Sequence, residues 1–181
     1  MKKIILPLVL LLMVLPLAGC MGMETVTAPD GAIPIADMPL SPEGLVLPIP
    51  EGYEIVNMQE SESLFTYGER TIYVRYAIAP NAVAVINSAM AQNLREFAEQ
   101  YIDSDDITPT TFSFMGQNAI LITAILDEDD QWHGRAGEAA VHAIAPFGDY
   151  FVMVSGYAPG PELDGMREDV MAFLAGFTAG N

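Results

Sequence analysis

The sequence has one cysteine and almost no lysine. Cys20 is the only cysteine among 181 residues, so no disulfide can form within the chain and any folded domain must depend on its hydrophobic core. Lys2 and Lys3 are the only lysines, and Schiff-base catalysis needs a lysine amine within a folded site. Covalent chemistry of these two kinds is therefore excluded for the region beyond residue 20.

The familiar catalytic and nucleotide-binding motifs are also missing. The chain contains no GxxxxGK[ST] phosphate loop, no GxGxxG dinucleotide motif and no HExxH zinc motif. It has no GxSxG nucleophile elbow, and Ser155 lies inside an apolar strand pattern with Gly156 after it. Carboxylates are so numerous that a nearby pair carries no weight for glycosidase chemistry. The sequence thus predicts a protein that is not an enzyme and that needs no cofactor.

The N-terminal segment has the organisation of a secretory signal. Lys2 and Lys3 precede the short apolar run from Ile4 to Leu15, and small residues follow it. This run is shorter than the ~20 apolar residues that a membrane-spanning helix needs, and Pro7 interrupts it. We therefore expect residues 1–19 to be a cleaved signal peptide.

The end of this segment, Leu17-Ala18-Gly19-Cys20, resembles the lipobox of prokaryotic lipoproteins. The resemblance implies cleavage before Cys20, a thioether-linked lipid on its sulfur and acylation of the new N-terminus by a chain such as palmitate. Two or more acyl chains make membrane attachment stable. The expected location is the extracytoplasmic side of a membrane, with the lipid on Cys20 as the anchor.

Cleavage would leave a strongly acidic chain. Five of the seven basic residues remain against 24 acidic ones, a net charge of −19 (5 minus 24). Such a surface repels nucleic acid and anionic headgroups, and it favours cations or basic partners. We expect no nucleic-acid partner.

A proline-rich segment separates the cysteine from the rest. Residues 20–44 contain Pro29, Pro34, Pro39 and Pro42 without sustained periodicity, which predicts a tether after the lipidated cysteine. Residues 45–181 have the size of a single domain with one core.

Within 45–181 the hydrophobic pattern alternates between strand and helix periods. A helix is predicted from about Val83 to Ile102 and another from Pro161 to Phe177. The predicted class is α+β, an antiparallel sheet of about six to seven strands packed by two α-helices. The segments with strand character, from which the sheet is built, are Leu45 to Ile49, Tyr53 to Met58, Ser63 to Tyr67, Arg70 to Ala79, Thr110 to Met115, Gln117 to Leu126, Ala136 to Ala145 and Tyr150 to Tyr157.

Polar chemistry concentrates between two predicted strands. Asp127, Asp129, His133 and Glu138 are weak candidates for metal ligands. The spacing does not fit an EF-hand, because Trp132 stands where that loop needs glycine. His133 and His142 are separated by a predicted strand, and the simplest interpretation gives no metal site. His133 is then an exposed loop residue, and His142 lies on the less buried side of its strand.

Trp132 is the weak candidate for contact with a partner, because tryptophan is enriched at binding hot spots. The alternative is an aromatic side chain packed on the sheet edge at the end of a strand. The sequence leaves both open.

The layout of residues 45–181 resembles that of PsbP/DcrB-like domains. The resemblance rests on the opening segment Leu45 to Ile55, a helix ending in Leu94 to Tyr101, Gly116 to Ala119, a meander and a C-terminal helix. It implies an antiparallel sheet packed by two helices, in a family whose members are often small lipoproteins or membrane-peripheral proteins that bind or stabilise larger assemblies.

Two kinds of function follow from the sequence. The first is a lipid-anchored, extracytoplasmic, non-enzymatic domain that binds a protein partner or assists assembly of the cell envelope. The alternative is a cation-dependent hydrolase, or a binder of a small ligand or cation, that uses residues 127–138 with His133.

Overall fold

The computed structural model describes residues 32–34, 42, 44–49, 52–59 and 62–179. The predicted signal peptide, Cys20 and most of the predicted tether lie outside the described residues. No helix in the described part of the chain is both long enough and apolar enough to span a bilayer. The elements are β1 (Ala32–Pro34), β2 (Leu45–Pro48), β3 (Glu54–Gln59), β4 (Glu62–Tyr67), β5 (Arg70–Ile78), α1 (Ala82–Gln92), α2 (Leu94–Ala98), β6 (Thr108–Phe114), β7 (Gln117–Ile125), β8 (Glu138–Phe147), β9 (Tyr150–Pro159), α3 (Leu163–Gly176) and β10 (Thr178–Ala179).

Seven of these strands form one antiparallel sheet in the order β3-β4-β5-β9-β8-β7-β6. Two sequential meanders, β3 to β5 and β6 to β9, meet where β5 pairs with β9 from Thr71↔Tyr157 to Ile78↔Tyr150. Strand β9 therefore lies at the centre of the sheet, between β5 and β8. The predicted α+β class, an antiparallel sheet packed by helices, is confirmed.

Helix α3 covers one face of this sheet. Its apolar side chains recur every three or four residues, and Met166, Val170 and Phe173 are fully buried. A side chain at position 156 of β9 would collide with α3, because a Cβ there would lie 2.6 Å from the side chains of Met166 and Val170. Gly156 thus allows the helix to approach the sheet closely.

Polar contacts fix α3 against the strands at its exposed side. The Arg70 guanidinium donates to Asp169 Oδ2 at 2.7 Å and to Glu162 Oε2 at 2.8 Å. Tyr53 donates its hydroxyl to the same Asp169 oxygen at 2.7 Å. The ion pair and the tyrosine join β5, the start of β3 and the last helix.

Helices α1 and α2 cover β6, β7 and β8 on the opposite face. The prediction of one continuous helix from 83 to 102 is wrong, because the backbone at Asn93 is extended (φ −154°, ψ 95°). The Asn93 side chain accepts a hydrogen bond from the Glu96 amide at 3.2 Å and so begins α2 as its N-cap. Ile86 and Ala98 still reach the core from the two short helices.

A small second sheet has the order β1-β2-β10. Its β1 lies within the segment predicted as a tether and pairs antiparallel with β2, from Ala32↔Pro48 to Pro34↔Val46. Leu45 and Leu47 of β2 are buried in the core shared with α3.

Candidate functional site

The loop from Leu126 to Gly137, here called the 126–137 loop, lies on the face of the sheet opposite α3. It contains the main cluster of polar residues found in the sequence. Its two ends meet through hydrogen bonds from the Leu126 amide to the Glu138 carbonyl (2.9 Å) and from the Gly137 amide to the Leu126 carbonyl (2.8 Å). The loop therefore extends the β7–β8 hairpin and folds back over the strands.

Asp130 holds this loop in a defined conformation. Its Oδ1 accepts hydrogen bonds from the backbone amides of Trp132 (2.8 Å), His133 (2.7 Å) and Gly134 (2.8 Å). Its Oδ2 accepts the hydroxyl of Tyr157 in β9 at 2.8 Å. Only 3% of the Asp130 side chain is exposed, so one buried carboxylate joins the loop backbone to the central strand.

Gly134 is required at its position in the loop for steric reasons. A Cβ there would lie 2.3 Å from a Leu126 methyl carbon and 2.5 Å from the Tyr157 ring. Any side chain would therefore push the loop away from the sheet.

A buried histidine and serine continue the polar cluster across the sheet. His142 of β8 and Ser155 of β9 are paired residues and each is 1% exposed. The Ser155 Oγ lies 3.3 Å from His142 Nδ1. The other ring nitrogen, Nε2, lies 3.7 Å from Asp130 Oδ2 and makes no hydrogen bond with the described residues. The cluster thus runs from Ser155 through His142 to Asp130.

The surroundings determine which of these groups is charged. Burial alone would raise the pKa of Asp130, but the His142 imidazole, the loop amides and the Tyr157 hydroxyl hold that pKa well below its ordinary value. Burial lowers the pKa of His142, an effect that the neighbouring Asp130 opposes and Arg75 reinforces. Burial and the Asp130 charge raise the pKa of Tyr157. The carboxylate is therefore ionised, and the imidazole is neutral, at neutral pH.

A second group of side chains lies between this cluster and solvent. The Arg75 guanidinium lies 4.8 Å from the Trp132 ring centroid and 5.5 Å from that of Tyr73, and it forms an ion pair with Glu62. The His133 ring stacks on Tyr73 with 4.1 Å between centroids. Cation–π and stacking contacts thus hold the outer part of the loop on β5, and the Glu62 ion pair connects Arg75 to β4.

Ser155, His142 and Asp130 follow one another in space as the serine, histidine and aspartate of a hydrolase triad do. The arrangement nevertheless does not suit nucleophilic attack. A nucleophile has to reach its substrate, and Ser155 is 1% exposed in the central part of the sheet. The three residues instead link two strands to the loop. Their contacts are suited to fixing the conformation of the loop.

The four candidate metal ligands each have a different neighbour. Asp127 accepts the Asp105 amide at 3.1 Å, Asp129 the Ala136 amide at 3.0 Å and Glu138 the Arg135 amide at 2.9 Å. His133 Nε2 lies 3.1 Å from Glu62 Oε2. Within the described ranges no three His, Cys, Asp or Glu side chains are placed to hold a metal ion.

Trp132 is half-buried and packs against the core beneath α1 and α2. Its Nε1 donates to the Tyr101 carbonyl at 3.2 Å, and Arg75 covers its ring. Its described contacts are those of an aromatic side chain that attaches the loop to the sheet.

The sequence did not reveal the residues that organise this site. The expectation that His142 lies on the less buried side of its strand is wrong, because β8 is buried on both faces. Period-two alternation puts His142 on the same face as Ala140 and Ile144, and this was the available signal. Nothing local connects it to Asp130, which is twelve residues earlier and comes near only when the loop folds back.

Comparisons with known proteins give structural similarity alone. No family model and no curated protein matches the chain. Among solved structures, it is similar to cyanobacterial PsbP from Synechocystis sp. PCC 6803, with 9% identity, coverage of 75% of this chain and 86% of that one, and a TM-score of 0.47. It is also similar to the Ran-binding protein Mog1p of Saccharomyces cerevisiae, with 9% identity, coverage of 75% and 90%, and a TM-score of 0.44.

Proposed function

We propose that this chain is a lipid-anchored, extracytoplasmic, non-enzymatic domain that binds a protein partner through the 126–137 loop. The observation that carries the proposal is that the buried carboxylate of Asp130 accepts hydrogen bonds from three loop amides and from the Tyr157 hydroxyl. A loop held in this way does not have to be ordered when a partner binds, and this lowers the cost of association.

The side chains that the loop presents to solvent support the same proposal. Gln131, His133 and Arg135 are exposed, while Trp132 and Gly134 between them turn towards the sheet. Binding residues are commonly placed on loops that a rigid scaffold positions. The four candidate metal ligands are each bonded to a different neighbour, which favours a binding role over the cation-dependent hydrolase alternative.

The binding proposal can be tested with a photo-crosslinking amino acid placed in the full chain in membranes of its source cells. The crosslinker replaces His133, and in a matched control it replaces Arg167, an exposed residue of α3 on the other face. One reproducible partner from position 133 and none from position 167 is the expected result. Equal capture at both positions, or none at either, contradicts the proposal.

The anchor is tested separately. Cys20→Ser removes the sulfur that would carry the lipid, so the protein is expected to leave the membrane fraction and to lose the mass of the acyl groups. Retention of Cys20→Ser in the membrane would show that the apolar run of residues 4–15 is an uncleaved anchor.

A further inference from the structure

We infer that the edge strand β3 is a second interaction surface, which adds an extended, basic segment of a partner protein to the sheet. The inference rests on the proposed protein-binding function and concerns a different part of the molecule. Among the described strands β3 has one neighbour, β4. No described strand pairs with the main-chain donors and acceptors along its other side, and such groups can pair with another chain.

The two edges of the sheet differ in their side chains. At β6 the edge carries Pro109 and three threonines, and α2 packs beside it. Proline and an adjacent helix are the usual means by which proteins prevent pairing at an edge. The described side chains of β3 include two exposed apolar residues instead, Ile55 (39% exposed) and Val56 (58%).

A third exposed apolar side chain lies on the neighbouring strand, two residues after Phe65, the pairing partner of Ile55. Tyr67, at the end of β4, is 54% exposed and packs against Tyr53, with 5.6 Å between ring centroids. Ile55, Val56 and Tyr67 are three of the six large apolar side chains exposed in the described part of the chain. Exposed apolar side chains grouped at one place indicate an interaction site, whereas single ones do not.

Charge selects the kind of partner. Glu54 and Glu69 are exposed at this corner of the sheet, and the chain as a whole carries a net charge of −17. The nearby cations are already engaged, Arg70 with Glu162 and Asp169 and Arg75 with Glu62. A second copy of this chain would bring the same negative charges together, whereas a lysine- or arginine-bearing strand would compensate them.

The pairing of β3 with β4 shifts at Val56, because Ile55 lies opposite Phe65 and Asn57 lies opposite Leu64. A bulge increases the local twist of an edge, and this limits the length over which another strand can pair with it. We therefore expect a short partner segment, which pairs with part of β3 and places apolar side chains on Ile55, Val56 or Tyr67.

The test uses the full chain and a fluorescent peptide of alternating valine and lysine. A control peptide has the same side chains but N-methylated amides on one edge, so that it keeps the charge and cannot pair as a strand. Val56→Lys is expected to weaken binding of the first peptide by about tenfold, because it places a charged side chain on the edge. Thr110→Lys, the matched charge change on β6, is expected to alter it by about twofold. Equal weakening by both variants, or equal binding of both peptides, would overturn the inference in favour of charge attraction alone.

A measurement on the unaltered chain gives a result that does not depend on whether the variants fold. Amide exchange with and without the valine–lysine peptide is expected to show new protection within β3. Protection confined to other strands, or self-association without the peptide, would overturn the inference. A partner captured at position 133 combined with absent peptide binding would leave the proposed function intact and refute only the role of β3.

Discussion

The two faces of the seven-stranded sheet are covered in different ways. The face towards α3 is almost entirely apolar, and buried side chains such as Phe65, Phe173 and Val154 fill it. The opposite face has an apolar half under α1 and α2 and a polar half under the 126–137 loop. In that polar half, Asp130, His142 and other hydrogen-bonded groups replace apolar packing.

This difference shows what each kind of contact specifies. Apolar packing is non-directional and yields most of the free energy of folding. A buried hydrogen-bonded carboxylate adds less net free energy, but it is satisfied in only one arrangement of its neighbours. The α3 face is therefore expected to determine the stability of the domain, and the Asp130 cluster is expected to determine the conformation of its loop.

The largest effect is expected on the α3 face. Phe173 is fully buried and its ring contacts Phe65, with 5.1 Å between centroids. Phe173→Ala should lower the free energy of unfolding by about 3–5 kcal/mol, as lost burial and a cavity combine. Urea denaturation measures the change, and Phe173→Leu should cost well under half as much. A loss similar to that of an exposed substitution would show that α3 is not part of the main core.

The next effect is expected at Asp130. Asp130→Ala leaves the Trp132, His133 and Gly134 amides without their acceptor and should cost about 2–3 kcal/mol. Hydrogen exchange should accelerate at these three amides more than in α3. Asp130→Asn keeps an acceptor oxygen and should retain part of the protection. Uniform acceleration across both faces would contradict a local role.

The pH dependence of stability should identify His142. Its folded pKa lies below the ordinary value of 6.5 because it is buried, so the unfolded chain binds a proton that the folded chain does not. The free energy of unfolding should therefore be greatest above pH ~6.5 and fall with acid, by up to about 1.4 kcal/mol per pH unit.

The comparison for this pH effect is His142→Gln, measured by urea denaturation between neutral pH and the onset of carboxylate titration. The variant should show a flatter pH dependence, whatever its absolute stability. If the free energy of unfolding of the variant falls with acid as steeply as that of the unaltered protein, groups other than His142 cause the loss of stability.

The smallest of these effects is expected at Trp132. Trp132→Phe keeps an aromatic face for Arg75 but loses the Nε1 hydrogen bond to Tyr101, which should cost about 1 kcal/mol. Tyr67→Phe, which alters an exposed ring, is the matched control and should cost almost nothing. If the Trp132→Phe and Tyr67→Phe variants unfold at the same thermal midpoint, the indole hydrogen bond does not contribute to stability.

Much of the fold could be predicted because its signals are local. Alternation identified strand Arg70–Ile78, and period-3.6 spacing with Pro161 identified the last helix. The break at Asn93 was missed, because an asparagine that caps α2 reads in sequence as an ordinary polar position of a longer helix. The pairing of β5 with β9 could not be predicted from local sequence patterns either, since it joins residues about 80 apart in the chain.

The candidate site was predicted only in part. Composition identifies the polar loop, but the candidate metal ligands Asp127, Asp129 and Glu138 accept hydrogen bonds from backbone amides. Asp130 was not distinguished from its acidic neighbours. Its role depends on Tyr157 and His142, which belong to two other strands.

The sequence by itself determined the class of the domain, its acidic surface and the motif around Cys20, whose lipidation stays a prediction. Periodicity, charge and short motifs can be read without knowing which segments meet. Only the tertiary structure decided that β5 lies beside β9, that Asp130 is the carboxylate buried against Tyr157, and that β3 is an end strand among the described strands of the sheet. These features depend on contacts between distant segments, and the free energy that selects them comes from the packing of the whole sheet.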